Sequence, residues 1–195
     1  MHIRQARPEE IETIASLVSK GYENDVFFHW VVDNPNDRHK VVTEYYKIYL
    51  SAKGCVAHVA ETSHGEIVGA TVWLPHDVDP SMYDDIDNAV GSYAPNFRAV
   101  ADLSHESEPK DTAFYQLVGF VVRDDFQGRG IGAALLKHQL DILDKAGIPT
   151  YLEASTPYHG KGVYGKFGYQ LYGDLLKFSE TAVLYPLWRE GERVE

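Results

Sequence analysis

Phe120-Val121-Val122-Arg123-Asp124-Asp125-Phe126-Gln127-Gly128-Arg129-Gly130-Ile131-Gly132 is the stretch whose reading decides the fold. The run from Phe114 to Val122 is almost unbroken apolar sequence and predicts a buried central strand. A short polar connection and three glycines follow, then a helical pattern from Ile131 to Ala146 that Gly147 and Pro149 stop. Glycines between a strand and a helix let the backbone approach a ligand closely. The first helical N–H groups, which lack intrahelical partners, point at that ligand. Such a site suits a pyrophosphate. A plain tight turn is the alternative, but three alternating glycines cost chain entropy without adding packing.

Outward from this unit, the pattern predicts one α+β arrangement. Ile3 to Ala6 reads as a first strand, and Pro8-Glu9-Glu10 opens a helix with Ile11, Ile14, Ala15, Leu17 and Val18 on its apolar face. Arg38 to Ala52 is a second helix ended by Gly54. Cys55 to Glu61 and Ile67 to Leu74, joined by Ser63-His64-Gly65, form a hairpin. Residues 75 to 111 are rich in Pro, Asp and Ser, with a helix or two between Met82 and Leu103, and read as an insertion lining the site. Beyond the glycines, Tyr151 to Ala154 is a strand, Gly162 to Phe167 a short helix, and Tyr169 to Leu176 and Thr181 to Tyr185 are final strands. We expect residues 1 to 195 to form a single domain, since 195 residues suffice for one well-buried core.

Composition narrows the function classes. A net charge of −11 argues against nucleic acid as a partner, because phosphate binding needs a basic surface. No apolar run approaches the ~20 residues that span a bilayer, and Met1 to Gln5 lacks a signal-peptide pattern, so no membrane partner is expected. The single cysteine, Cys55, fits a reducing cytoplasm. The scattered histidines give no metal-ligand spacing, so no metal is expected.

Two ligand readings compete at the glycines. Gly128, Gly130 and Ala133 satisfy G-x-G-x-x-A, with Glu153 ending the next strand, as in a dinucleotide-binding fingerprint. Against that, Arg123 to Gln127 separate strand from glycines, and too little chain remains after Glu153 for a doubly wound sheet. Gln127-x-x-Gly130-x-Gly132 instead resembles the Q/R-x-x-G-x-G/A signature of the GCN5-related N-acetyltransferases (GNAT), and Val163 to Tyr169 resembles that family's F-Y-x-x-x-G-F segment. Within the family the chain is most similar to puromycin N-acetyltransferase and its relatives, through Pro35 to His39, Thr112 to Leu117 and Leu152 to Pro157.

The resemblance implies a GNAT fold: a central, mixed, mostly antiparallel sheet with helices on both faces, in the order β-α-α-β-β-β-α-β-α-β(-β). It implies transfer of an acetyl group from acetyl-CoA to a small-molecule amine. Phe120, Val121 and Val122 would pair with the pantetheine arm, and Gln127, Gly128, Arg129, Gly130, Ile131 and Gly132 would hold the pyrophosphate. Tyr164 matches the family tyrosine near the coenzyme A sulfur and is the candidate acid. Glu153, a carboxylate on an apolar strand, is the candidate base. For the acceptor, Tyr22, Asp25, Phe28 and Trp30, with Trp73 and Tyr83, combine aromatic surface with negative charge. His138 reads as a structural histidine on its helix, and His159 falls near the family's pantetheine-contacting asparagine. Dimers are common in such families, so a homodimer is compatible with the sequence, although no feature specifies one. A non-catalytic acetyl-CoA-binding or sensor protein of the same fold is the alternative of a different class.

Overall fold

The computed structural model describes residues 1–157 and 162–192. After strand β1 (His2–Gln5), Pro8 opens a 3-10 turn that leads into α1 (Ile11–Gly21). Ile14, Ala15 and Val18 of α1 are fully buried, as its apolar spacing predicts. A short helix α2 (Val26–Val31) comes next. The sequence reading has no helix there. Asp25 creates it, accepting hydrogen bonds from the N–H groups of Phe27 and Phe28 as an N-cap. Helix α3 (Pro35–Ser51) begins on the cap Asn34.

The hairpin is strands β2 (Val56–Glu61) and β3 (Ile67–Pro75), paired antiparallel. The insertion contains two helices, α4 (Met82–Val90) and α5 (Ala94–Ser107). Strand β4 (Tyr115–Val122) pairs antiparallel with β3. The glycine loop then enters α6 (Ile131–Lys145), which is followed by β5 (Thr150–Ala154) and α7 (Gly162–Lys166). The expected strand from Tyr169 to Leu176 is broken into β6 (Gln170–Leu171) and β7 (Leu176–Lys177). The last strand, β8 (Val183–Arg189), starts later and runs further than expected.

The sheet order is β1-β2-β3-β4-β5-β8-β6, with β7 against β8. Among the described residues every pairing is antiparallel except β4 with β5. Helices α1 and α3 pack on one face and α6 on the other. This is the mixed, mostly antiparallel sheet with helices on both faces that the sequence implies.

Two irregularities in β4 position the site. First, Val72 pairs with Gly119 and Trp73 with Leu117, so Val118 is an extra, bulged residue. Second, β4 pairs with β5 only from Tyr115 to Leu117, and beyond Leu117–Leu152 the two strands part. The strand is central as expected, but its full burial is corrected: in Tyr115–Val122 Leu117, Gly119 and Val121 are buried and the rest are half-buried. The outer half of β4 has a free edge because its neighbour leaves it.

Opposite this opening, Arg189 donates to both carboxylate oxygens of Asp144 at 2.7 and 2.8 Å and to the Phe167 carbonyl at 2.7 Å. This buried pair fastens the end of α6 to β8. The Arg189 charge and the Glu192 N–H hold the Asp144 carboxyl below its ordinary range against the opposing effect of burial.

Candidate functional site

The glycine loop is built by conformation rather than by side chains. A 3-10 turn at Asp124–Phe126 is followed by Gly128 and Gly130 at φ of 73° and 78°, left-handed values that favour glycine. Gln127 donates from its amide to the Val122 carbonyl and to Asp124, each at 3.0 Å, tying the loop to the end of β4. The first intrahelical bond of α6 runs from the Ala134 N–H to Gly130 O, so the N–H groups of Ile131, Gly132 and Ala133 precede it. At Gly132 a Cβ would lie 2.9 Å from Phe120 Cζ, so glycine leaves room for the Phe120 ring against the start of α6.

Between this loop and the free edge of β4 lies a cleft of about 370 Å³ lined by Phe120, Val121, Val122, Phe126, Gln127, Gly128, Gly130, Ile131, Gly132 and Val163. It thus combines a strand edge, a left-handed glycine turn and the positive end of a helix. That set of groups fits an extended amide-bearing chain joined to a phosphate.

A second space, about 140 Å³, lies on the α3 face of the sheet beside the β4 bulge. Tyr22, Phe28, Tyr45, Tyr46, Tyr49 and Phe97 form much of its wall, and α5 closes it with Ala101 and Ser104. The Tyr46 hydroxyl donates to the Val118 carbonyl at 2.8 Å, so the bulged residue is anchored from the cavity side. Glu153 reaches the cavity from β5. Its carboxylate accepts from Ser104 at 2.8 Å and from Tyr151 at 2.9 Å. Burial raises the Glu153 pKa to about 7, against the lowering effect of those two hydrogen bonds. A carboxyl in that range can exchange a proton near neutral pH.

A model of the acetyltransferase (GNAT) family matches residues 22–169. The chain belongs to the GNAT family. Solved structures of similar fold include a histone-acetyltransferase-related acetyltransferase from Corynebacterium glutamicum, at 18% identity and a TM-score of 0.69, covering 99% of this chain and 96% of that one. An arylalkylamine N-acetyltransferase from Aedes aegypti matches at 13% identity and a TM-score of 0.60, covering 97% and 98%. A phosphinothricin acetyltransferase from Sinorhizobium meliloti, solved with acetyl-CoA, matches at 14% identity and a TM-score of 0.57, covering 98% and 88%. GNAT enzymes use acetyl-CoA, which directs attention to the residues named from the sequence.

Eight of the nine residues expected at the donor line the one cleft; the ninth, Arg129, does not. Its guanidinium donates to the Asp125 carbonyl at 2.8 Å and lies 4.8 Å from the Phe126 ring centre. Tyr164 lies on α7 with its ring 6.0 Å from Phe120 and 5.9 Å from Tyr169. Burial pushes its phenol well above the ordinary range, so it stays protonated. His159 lies outside the described residues.

The acceptor set divides. Tyr22 and Phe28 line the cavity, as does Tyr83. Asp25, Trp30 and Trp73 do not. Asp25 is committed to capping α2 and accepts the Ser155 hydroxyl. Trp30 packs against Phe27 and Phe178. Trp73 is fully buried on the α6 face of the sheet, among Leu136 and Leu140. Residues missed from sequence include Ser104 and Tyr151, which hold Glu153, and Tyr46 at the bulge. Ser104 sits in the insertion, where nothing in the sequence singles it out. His138 packs edge-on to His58 at 4.6 Å between α6 and β2, a structural placement.

Among the described residues no group of three or more His, Cys, Asp or Glu could hold a metal ion, and no helix is long and apolar enough to cross a membrane.

Proposed function

We propose that the chain transfers an acetyl group from acetyl-CoA to a small amine held in the aromatic cavity, acting as one unit over residues 1–195 in a reducing cytoplasm. The observation that carries this reading is the adjacency of the two spaces across β4, with Glu153 reaching the second. The free edge of β4 would pair with the pantetheine arm, and main-chain N–H groups from Gly128 to Gly132 would take the pyrophosphate. Acetyl-CoA supplies the activated acyl group as a thioester.

Amine nitrogen forms the new bond to the acyl carbon as the carbon–sulfur bond breaks. Glu153 takes the proton that nitrogen sheds, and the Tyr164 hydroxyl donates a hydrogen bond to the departing thiolate, yielding the acetamide, coenzyme A thiolate and a protonated Glu153. With a pKa near 7, Glu153 is ionised often enough to accept a proton and close enough to neutrality to release it.

The cavity also speaks for the acceptor. About 140 Å³ is close to the ~150 Å³ that holds a benzene-sized molecule, so a short amine with a planar apolar body fits and an extended oligosaccharide does not. The aromatic rings favour a cation or its flat substituent. A puromycin-type enzyme is the finer reading that segments 35–39, 112–117 and 152–157 suggest.

The test is thiol release from acetyl-CoA against a panel of aminonucleosides, arylalkylamines, polyamines and aminoglycosides, with mass spectrometry of products. Small planar amines should give the highest turnover. Acetyl-CoA should also raise the melting temperature and NAD should not. Thiol release with no acceptor in the panel, or stabilisation by NAD alone, would remove this reading.

A further inference from the structure

The hydroxyl of Tyr22 stands where the donor reading needs open backbone. It accepts from the Phe120 N–H at 3.2 Å and donates to the Phe120 carbonyl at 3.4 Å. Phe120 lies opposite Thr71 of β3, yet both its main-chain polar groups go to this tyrosine. They lie beyond the point where β4 and β5 part. One phenol therefore satisfies the N–H and C=O that a strand or an extended ligand would otherwise take.

Local geometry delivers it there. Tyr22 follows the last residue of α1, and a Cβ on Gly21 would come within 2.4 Å of Val121 Cγ2. The end of α1 thus lies directly on β4, at a separation only glycine allows. The Tyr22 ring stacks on Phe28 at 4.9 Å and faces Tyr46 at 6.1 Å, forming part of the cavity wall. Phe120, the residue it bonds, lines the cleft. Tyr22 thus lines the cavity and bonds the main chain of a residue that lines the cleft.

We propose that Tyr22 is a gate between the donor cleft and the acceptor cavity, its hydroxyl a built-in competitor for the main-chain groups of Phe120. This rests on the reading that β4 carries the pantetheine arm. An arm that pairs with Phe120 must break both tyrosine hydrogen bonds, and the phenol then leaves its place in the cavity wall. The unliganded protein keeps the two spaces partitioned, and donor binding opens one to the other. Burial holds the phenol neutral, so it can both accept and donate in the closed position.

The experiment compares the wild type with Tyr22→Phe, which keeps the stacked ring and removes only the hydroxyl. Calorimetric titration uses two ligands: coenzyme A, and adenosine 3′,5′-bisphosphate, which lacks the arm. Coenzyme A should bind Tyr22→Phe about fivefold tighter, the effect of one net neutral hydrogen bond no longer broken. The bisphosphate should bind both proteins equally. Amide hydrogen exchange gives a second readout. The Phe120 amide should be protected in the free wild type, exchange faster in free Tyr22→Phe, and regain protection when coenzyme A is added.

Equal or weaker coenzyme A binding by the variant would overturn the gate. So would an identical gain for the bisphosphate, since the effect would then lie outside the strand edge. Failure of both proteins to bind coenzyme A would instead remove the donor reading beneath it.

Discussion

The cleft at the glycine loop and the cavity beside it are built on opposite plans. Among the described residues the cleft is lined from one contiguous stretch, residues 120–132, and from Val163. The cavity presents side chains from Tyr22, from helices α2 to α5, and from β4, β5 and β8. A main-chain site is changed by few substitutions, chiefly at the glycines that shape it. A side-chain cavity changes with any of its walls. On the proposed reading, the difference teaches where donor grip and acceptor choice reside in this chain: the first in the loop, the second in the helices around the cavity.

The largest expected effect tests the cavity. Glu153→Gln should lower kcat/KM about 10²- to 10³-fold at neutral pH and leave coenzyme A affinity unchanged. The pH profile sharpens this. For an amine with pKa near ~10, wild-type log kcat/KM should rise with slope two below pH 7 and slope one above it, because acceptor and Glu153 both titrate. The variant should show slope one throughout. Stability should move the other way. The folded pKa of Glu153, about 7, is raised above the ordinary 4.5, so its stabilising share is complete below 4.5 and is lost as pH rises through 7. At pH 8 Glu153→Gln should therefore be more stable than wild type, by at most about 3 kcal/mol, with no gain at pH 4. Retention of the second slope by the variant would place the base elsewhere.

The next effect tests the cleft. In Gly132→Ala the added carbon meets Phe120 Cζ at 2.9 Å, so the Phe120 ring must shift within the cleft it lines. Coenzyme A affinity should fall about tenfold while KM for the amine stays within about twofold. Were the amine KM to rise equally, the two spaces would not be separable as described.

How much of this was legible in the sequence follows the same division. The loop could be read because its chemistry is local: glycines, a strand before and a helix after are all adjacent in the chain. Trp73 could not be placed. In β3, Val68 to Leu74 are all buried, so both faces are apolar and no alternation reveals which one a residue occupies. Asp25 carried a signal, since an aspartate before a helix is a common cap, but α2 is only Val26–Val31, too short to show a helical period. The pairing of Glu153 with Ser104 joins residues on β5 and α5 that only the folded insertion brings together. The parting of β4 from β5 leaves no mark in an apolar run.

A smaller effect probes that Ser104 contact. The Ser104 hydroxyl lowers the Glu153 pKa, so Ser104→Ala should raise it and shift the lower break of the pH profile upward. Activity should drop about three- to fivefold at pH 6 and recover by pH 9. A loss equal at both pH values would mean that Ser104 shapes the cavity rather than the carboxyl's proton affinity.

The smallest effect belongs to Arg129, the one charged residue assigned to the donor from sequence. Its guanidinium already donates to the Asp125 carbonyl and lies over Phe126, and its side chain is exposed. A solvated charge of that kind contributes little and is screened by salt. Arg129→Ala should weaken coenzyme A binding by less than about twofold at 0.15 M salt. A tenfold loss that vanishes at 1 M salt would break the comparison at its root, because the cleft would then depend on a side-chain charge. The main-chain groups of residues 128–132 would become the lesser part of the grip, and the loop would be as open to substitution as the cavity.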